Sequence, residues 1–412
     1  MYGLIGEKLG HSFSKEIHQK LADYEYQLIE LSKEEFSDFM TKREFDGINV
    51  TIPYKEAVIP YLDQLDPRAE KIGAVNTIVN RNGKLIGYNT DFDGILYLLE
   101  ANNIELHNKT VMILGTGGTC KTISAVCSEL GAKQVYKVSR SGGIYFNYEQ
   151  AEELEDVEVI FNASPRGMYP NNYEKPFNTT YLPKLESVVD VVYNPLNTNL
   201  VLMALAQNLN SVGGLEMLVA QAKRAAEIFT DTKIDDSKNA EIYLDLCRRL
   251  QNIVLIGMPC SGKSTVGKAV AEKLDKPFVD IDEEIVKAAG KSIPEIFAAE
   301  GEDAFRKMEQ ETLKKIAAQG GQVIATGGGI VKDMRNIQAL QQNGILFFLD
   351  RDLDNMITDD NRPLTKNKED LQKLLEERYD IYDRYCDCKI ANNGAVDDAV
   401  NEIIAVFRGE QL

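Results

Sequence analysis

Apolar runs of strand length alternate with amphipathic helical stretches along the whole chain, and their spacing changes character twice. Between residue 1 and about 100, runs at Tyr2–Ile5, Tyr26–Glu30, Gly47–Ile52 and Ala74–Asn80 predict strands separated by helices. From about 105 the pattern tightens into a βαβ series, with strands expected at Thr110–Leu114, Gln134–Ser139, Val159–Asn162 and Ser187–Val192. A helix is expected from about Thr119 to Leu130, stopped by Gly131. Helical periodicity returns from Met217 to about Phe229, and the polar stretch Thr230 to Asn239 leads into one more helix ending near Leu250. A second βαβ series opens at Ile253 and continues to the last residues. The pattern predicts an α/β protein of three bodies, at 1–104, 105–216 and 251–412, with the helices of about 217–250 packing back on the first.

Composition narrows the partners. The 412 residues suit two or three domains, and an apolar fraction of 44% is ample for buried cores. Net charge is −18, from 46 basic and 64 acidic residues, which argues against nucleic acid and against anionic membrane surfaces. Small anions stay possible where basic residues cluster. The opening Met1–Gly6 reads as strand and turn rather than as a leader, and no run is long enough to span a membrane, so a cytoplasmic location is expected. The six cysteines include Cys386 and Cys388, whose spacing is not that of a zinc site, and they read as reduced thiols. Nothing in the pattern sets an oligomeric state.

Two glycine-rich loops follow predicted strands, and they differ in kind. Gly257-Met258-Pro259-Cys260-Ser261-Gly262-Lys263-Ser264 is a complete P-loop between a strand and a helix. The backbone from Gly257 through Ser261 and Gly262 to Thr265 would face phosphates, Lys263 would bridge them, and Ser264 would ligate Mg²⁺. Downstream, Pro277-Phe278-Val279-Asp280-Ile281-Asp282 reads as a strand with Asp280 and Asp282 on one face. One of these two carboxylates can serve the metal shell while the other accepts a hydrogen bond from an attacking hydroxyl. Asn367-Lys368-Glu369-Asp370 matches a guanine-reading motif but opens a polar helix, Glu369–Arg378, so a helix start explains it better.

The other loop, Gly115-Thr116-Gly117-Gly118 followed by Thr119, has no lysine and suits a dinucleotide. At the end of the next strand stand Ser139, Arg140 and Ser141, with no acid; in Rossmann folds an arginine there accommodates a 2′-phosphate, which favours NADP. The region before the loop supplies hydroxyls and amides suited to a polyhydroxylated ring: Ser12-Phe13-Ser14, Asn49-Val50-Thr51 leading to Lys55, Gly73-Ala74-Val75-Asn76-Thr77, and Asn89-Thr90-Asp91. A Lys/Asp pair suits proton transfer coupled to hydride transfer at a carbonyl.

With these segments in order, residues of about 1–245 resemble shikimate dehydrogenase, supported by Asn162-Ala163-Ser164-Pro165-Arg166-Gly167-Met168, Asp190-Val191-Val192-Tyr193-Asn194-Pro195 and Gly214-Leu215-Glu216-Met217-Leu218-Val219-Ala220-Gln221. The resemblance implies a catalytic pair Lys55 and Asp91, substrate contacts from Ser12, Ser14, Thr51, Asn76 and Gln221, and Met168, Tyr193 and Gly214 near the nicotinamide. Residues of about 252–412 resemble shikimate kinases through the P-loop, Asp-x-Asp, Gly301-Glu302-Asp303-Ala304-Phe305-Arg306, Thr326-Gly327-Gly328-Gly329, Asn361-Arg362-Pro363-Leu364 and Arg378-x-x-x-Tyr382. That resemblance implies that Asp282, Arg306 and Arg378 hold shikimate, that Gly327, Gly328 and Gly329 let backbone approach it, and that Arg362 reaches ATP phosphates from a lid. Together the resemblances imply a substrate domain, a Rossmann domain and a P-loop kinase domain, in a bifunctional enzyme that reduces 3-dehydroshikimate with NADPH and then phosphorylates shikimate from ATP with Mg²⁺. One departure stands: the family's NADP clamp often carries a second arginine, where this chain has Ile144. A quinate/shikimate dehydrogenase using NAD therefore stays open for the first half, as does a shikimate-binding regulator without catalysis.

Overall fold

In the computed structural model, which describes residues 1–10, 12–356 and 368–410, the strands gather into three sheets. The chain divides into two compact units, Met1–Asp245 and Leu246–Leu412, with the division inside helix Ser237–Leu250.

The first unit holds two sheets. β1 (Tyr2–Gly6), β2 (Tyr26–Glu30), β3 (Gly47–Val50), β4 (Gln64–Leu65), β5 (Thr77–Arg81) and β6 (Lys84–Tyr88) form a six-stranded sheet in the order β2-β1-β3-β5-β6-β4. β1 is parallel to β2 and β3, whereas β5 runs antiparallel to both β3 and β6. The β5–β6 hairpin turns at Asn82 and Gly83, with φ of 54° and 86°. Two successive positive φ values are what a tight hairpin demands, and Asn-Gly tolerates them best. The expected strand at Ala74–Asn80 is thus later and shorter, because Asn76 donates its backbone N–H to Tyr88 outside the ladder.

β7 (Thr110–Leu114), β8 (Gln134–Val138), β9 (Val159–Asn162), β10 (Ser187–Asp190) and β11 (Asn210–Val212) form a parallel sheet in the order β11-β10-β9-β7-β8. Both faces are covered, so β7 is apolar from Val111 to Leu114: Val111 and Ile113 pack with Ile123 and Val126, and Met112 and Leu114 with Leu182 and Leu200. β10 stops short of the expected Val192 because the Val192 N–H bonds the Asp190 side chain at 3.0 Å instead of a neighbouring strand. Helix Leu215–Thr230 returns to the first sheet. A Cβ on Gly47 of β3 would lie 2.5 Å from the Phe229 ring, and Arg81 caps the helix end through the Ile228 and Phe229 carbonyls.

The second unit is one parallel sheet. β12 (Asn252–Ile256), β13 (Phe278–Asp280), β14 (Val323–Ala325), β15 (Gly344–Asp350) and β16 (Cys388–Ala391) take the order β13-β14-β12-β15-β16. Ile253 and Leu255 face Val266, Val270, Ile403 and Phe407, while Val254 and Ile256 face Ile281, Leu313, Ile337 and Tyr382. The helix after the guanine-like motif runs Lys368–Tyr385, longer than expected, with Glu369 and Asp370 in its first turn as its dipole favours. Asn367 and the motif Asn361-Arg362-Pro363-Leu364 lie outside the described residues. Among the described residues no helix is long and apolar enough to cross a membrane, and all six cysteines are free thiols.

Candidate active sites

In the first unit the polar segments of the first sheet meet beside the glycine loop of the second. Lys55, just after β3, places its Nζ 2.6 Å from Asp91 Oδ2 at the start of helix Asp91–Ala101. The other Asp91 oxygen accepts from Asn76 Nδ2 at 2.9 Å, and Asn76 also reaches Thr90 Oγ1 at 3.0 Å and Gln221 Oε1 at 3.4 Å. A Cβ on Gly118 would lie 3.8 Å from Cβ and Cδ of Lys55, so the Lys–Asp pair borders the loop. Ser12 Oγ and Ser14 Oγ are 3.1 Å apart, and the ring of Phe13 between them lies 5.7 Å from that of Tyr193.

The glycine loop is packed tightly. Gly115 has φ of 107°, and a Cβ there would sit 3.1 Å from the Ala163 carbonyl and the Ser164 nitrogen. Gly214, next to Val191 across the turn after β10, leaves a hypothetical Cβ only 2.2 Å from the Val191 carbonyl. Burial pushes the Tyr193 phenol above its usual range. Thr51 is half-buried, and Met168 stands 43% exposed. Arg140 and Ser141 are exposed at the end of β8, where the Ser139 hydroxyl donates to the Gly142 carbonyl at 3.1 Å.

A second layer lies under this site, in which Asn49, Thr77 and Thr90 of the expected segments are joined by Tyr26, which the sequence did not single out. Tyr26 donates to Asn49 Oδ1 at 2.7 Å, Asn49 to Thr77 Oγ1 at 2.9 Å, and Thr77 lies 3.1 Å from Thr90 Oγ1. The chain of bonds fixes Asn76 and Asp91 from behind, as a fully satisfied buried network does. His18 stacks on Tyr26 with ring centroids 4.0 Å apart, and burial lowers its pKa to about 3, so it stays neutral.

In the second unit the P-loop opens helix Lys263–Leu274. Lys263 Nζ is buried and donates to the carbonyls of Gly257 at 2.9 Å and Met258 at 2.7 Å. Ser261 is fully buried, and Thr265 is exposed on the helix. Ser264 Oγ donates to Asp280 Oδ2 at 2.6 Å. The expected shared strand face for Asp280 and Asp282 is corrected here. β13 ends at Asp280, which caps helix Ile281–Ala289 by accepting from the Asp282 N–H at 3.0 Å, and Asp282 sits in the first helical turn. Helix geometry, not strand alternation, therefore aims the two carboxylates.

Asp282 faces the glycine run after β14. A Cβ on Gly327 would meet Asp282 Oδ1 at 3.0 Å and Glu309 Oε1 at 2.8 Å, and one on Gly329 would meet the Arg306 guanidinium at 2.4 Å. Arg306 Nη1 bonds Glu309 Oε2 at 2.8 Å, and its other nitrogens reach Glu302. Glu309, also not singled out from sequence, is 1% exposed; burial raises its pKa while Arg306 opposes the rise. Arg378, 2% exposed, donates to the Gly328 carbonyl at 3.1 Å, as does the Tyr382 hydroxyl. A Cβ on Gly328 would lie 2.7 Å from Pro259 Cδ, so this cluster abuts the P-loop directly.

The comparisons divide the chain in the same way. Residues 4–78 match the model of the shikimate dehydrogenase substrate binding domain, and residues 259–408 match that of shikimate kinase. The NADP(+) shikimate dehydrogenase of Clostridium beijerinckii is 37% identical over 260 residues, which span 59% of this chain and 96% of that protein. Among solved structures, shikimate dehydrogenase 1 of Peptoclostridium difficile superposes with a TM-score of 0.57 at 35% identity, covering 60% of this chain and 97% of the other. Shikimate 5-dehydrogenase of Thermus thermophilus, solved with NADP(H) and shikimate, gives 0.54 at 28%, covering 59% of this chain and 97% of the other. The chain belongs to the shikimate dehydrogenase family and carries a shikimate kinase domain behind it, a dehydrogenase–kinase fusion.

Proposed function

We propose that the first unit reduces 3-dehydroshikimate to shikimate with Lys55 and Asp91 as its proton-handling pair, and that the second phosphorylates shikimate with Asp282 holding the accepting hydroxyl. The observation that carries both assignments is the abutment of a polar cluster on each glycine loop, Lys55 against Gly118 and Gly328 against Pro259. The domain limits follow as 1–104, 105–216 and 251–412, in a cytoplasmic chain whose thiols stay reduced.

NADPH supplies the hydride when bound. The residues present fit it: Gly115, Gly117, Gly118 and Thr119 open helix Gly118–Glu129 toward a diphosphate, and exposed Arg140 offers a cation where a 2′-phosphate would lie. Lys55 gives its proton to the carbonyl oxygen as the alkoxide develops, while Asp91, fixed by Asn76, keeps the ammonium aimed. Ser12, Ser14, Thr51, Asn76 and Gln221 bind the ring hydroxyls and carboxylate, and Met168, Tyr193 and Gly214 wall the nicotinamide end.

In the kinase unit the hydroxyl–carboxylate pair Ser264 and Asp280 is a hard oxygen set that fits Mg²⁺. Arg306 and Arg378 clamp the shikimate carboxylate, Gly327 to Gly329 bring backbone against the ring, and Asp282 accepts the hydroxyl proton. Arg362 of the expected lid lies outside the described residues.

A single preparation supplied with 3-dehydroshikimate, NADPH and ATP tests the reading. It should form NADP⁺ and shikimate 3-phosphate in equal amounts. NADPH should be preferred over NADH, and Arg140→Ala should raise the KM for NADPH roughly tenfold without changing that for NADH, as loss of a charge-assisted hydrogen bond does. Faster turnover with quinate and NAD would instead favour the reading that the missing second arginine leaves open. Formation of shikimate 3-phosphate from added shikimate, with no NADPH oxidation when 3-dehydroshikimate is supplied, would remove the dehydrogenase half of the proposal.

Gly329→Ala separates binding from folding. The three atoms nearest its new methyl all belong to the Arg306 guanidinium, the far end of a long side chain, so the guanidinium is displaced from Glu302 and Glu309 while the backbone stays. The KM for shikimate should rise roughly tenfold, with Tm changing little and the KM for ATP constant. A large fall in Tm with an unchanged shikimate KM would show that Arg306 has no part in binding.

A further inference from the structure

We propose that Arg351 binds the nucleotide phosphates of the kinase unit, a role outside every motif above that rests on the kinase reading. β15 ends at Asp350, whose carboxylate turns to the Tyr379 hydroxyl at 3.1 Å and Lys389 at 3.5 Å. The next residue turns toward the P-loop: Arg351 Nη1 lies 3.4 Å from where a Cβ on Gly262 would stand. Asn392, after β16, is 2.8 Å from the same point and donates to the Ser261 carbonyl at 2.7 Å. The backbone after Arg351 is tied to that neighbour, since Asn393 Oδ1 accepts from the Asp352 N–H at 2.8 Å and from Asn355 at 3.3 Å. The guanidinium is thus held beside Gly262 from two strand ends.

It is held there without an acceptor of its own. Arg351 Nε is buried with no hydrogen-bond partner, and Arg351 forms no salt bridge among the described residues. An arginine donor in that state is costly unless a ligand satisfies it. Gly262, with φ of 93°, begins the helix whose free N–H groups face phosphate. A polyanionic phosphate group matches both the charge and the planar fork of donors.

The test titrates ADP into the full chain by calorimetry and measures phosphorylation of shikimate with ATP and with ITP, for the native protein, Arg351→Met and Arg351→Lys. Arg351→Met should weaken ADP binding and raise the KM for ATP and ITP alike, by about tenfold to a hundredfold. Arg351→Lys should restore part of both, and the KM for shikimate and the dehydrogenase rates should not move. Unchanged ADP affinity would overturn the assignment. So would a loss confined to ATP, which would mark a base contact, or a joint loss of ADP and shikimate binding that lysine does not rescue, which would mark a structural role. A native chain that binds no ADP and phosphorylates nothing would sink the kinase reading itself, and this inference with it.

Discussion

Exchanging Lys55 for methionine lowers kcat for NADPH-dependent reduction of 3-dehydroshikimate by about a hundredfold or more, the scale of a lost general acid, while phosphorylation of shikimate continues at the native rate. Methionine keeps the apolar stem that lies along Gly118 and removes only the ammonium 2.6 Å from Asp91. Asp91 keeps its bond from Asn76, and the layer of Thr77, Asn49 and Tyr26 behind Asn76 is untouched, so the site retains its shape. The loss should therefore fall on kcat, with the KM for NADPH nearly constant. Asp91→Asn should act in the same direction, because both Asp91 oxygens accept and an amide offers only one acceptor, so either Lys55 or Asn76 loses its partner. Steady-state rates with saturating NADPH decide the matter. If Lys55→Met retains activity within a few-fold, the proton comes from another group; if both activities vanish, the two chemistries are not independent.

How much of this site could be read in advance depended on the kind of signal. Fully buried parallel strands announce themselves as apolar runs, and β7 and β9 fall where the pattern places them, at Thr110–Leu114 and Val159–Asn162. Strand ends were less legible where a side chain intercepts the ladder, as Asp190 does at Val192. The β5–β6 hairpin carried a readable cue, Asn82-Gly83, that a search for helix–strand alternation passes over. Asp280 and Asp282 show the sharper failure. Spacing of two residues implies one strand face only if the strand continues, and Asp280 is also a strong helix cap, which ends it. Glu309 was illegible for another reason. It lies three residues after Arg306 on helix Ile293–Ala317, a spacing that on most helices marks a solvent-exposed ion pair, and only the fold brings Gly327 and Asp282 over it. The Tyr26–Asn49–Thr77 layer likewise joins residues from three strands whose adjacency is topological.

Lys263→Met is the complementary change, and its effect should be the largest in the second unit. With shikimate and ATP saturating, phosphoryl transfer should fall by at least about a hundredfold to a thousandfold, as when a preorganised donor to developing charge is removed. Reduction of 3-dehydroshikimate should proceed unchanged. In the structure the Lys263 ammonium rests on the carbonyls of Gly257 and Met258, inside the loop rather than beyond it. To serve the transferring phosphoryl it must exchange those two acceptors for phosphate oxygens, a trade favoured because charged acceptors form stronger hydrogen bonds than neutral ones. The resting bonds also mean that its removal leaves two loop carbonyls short of a donor, so loop collapse has to be separated from lost catalysis. Shikimate binding supplies that control, since Asp282, Arg306 and Arg378, the proposed shikimate contacts, gather around Gly327–Gly329. Calorimetric affinity for shikimate should match the native value in Lys263→Met. Equal loss of shikimate affinity and turnover would assign the lysine to holding the loop; a retained turnover within tenfold would remove it from the chemistry.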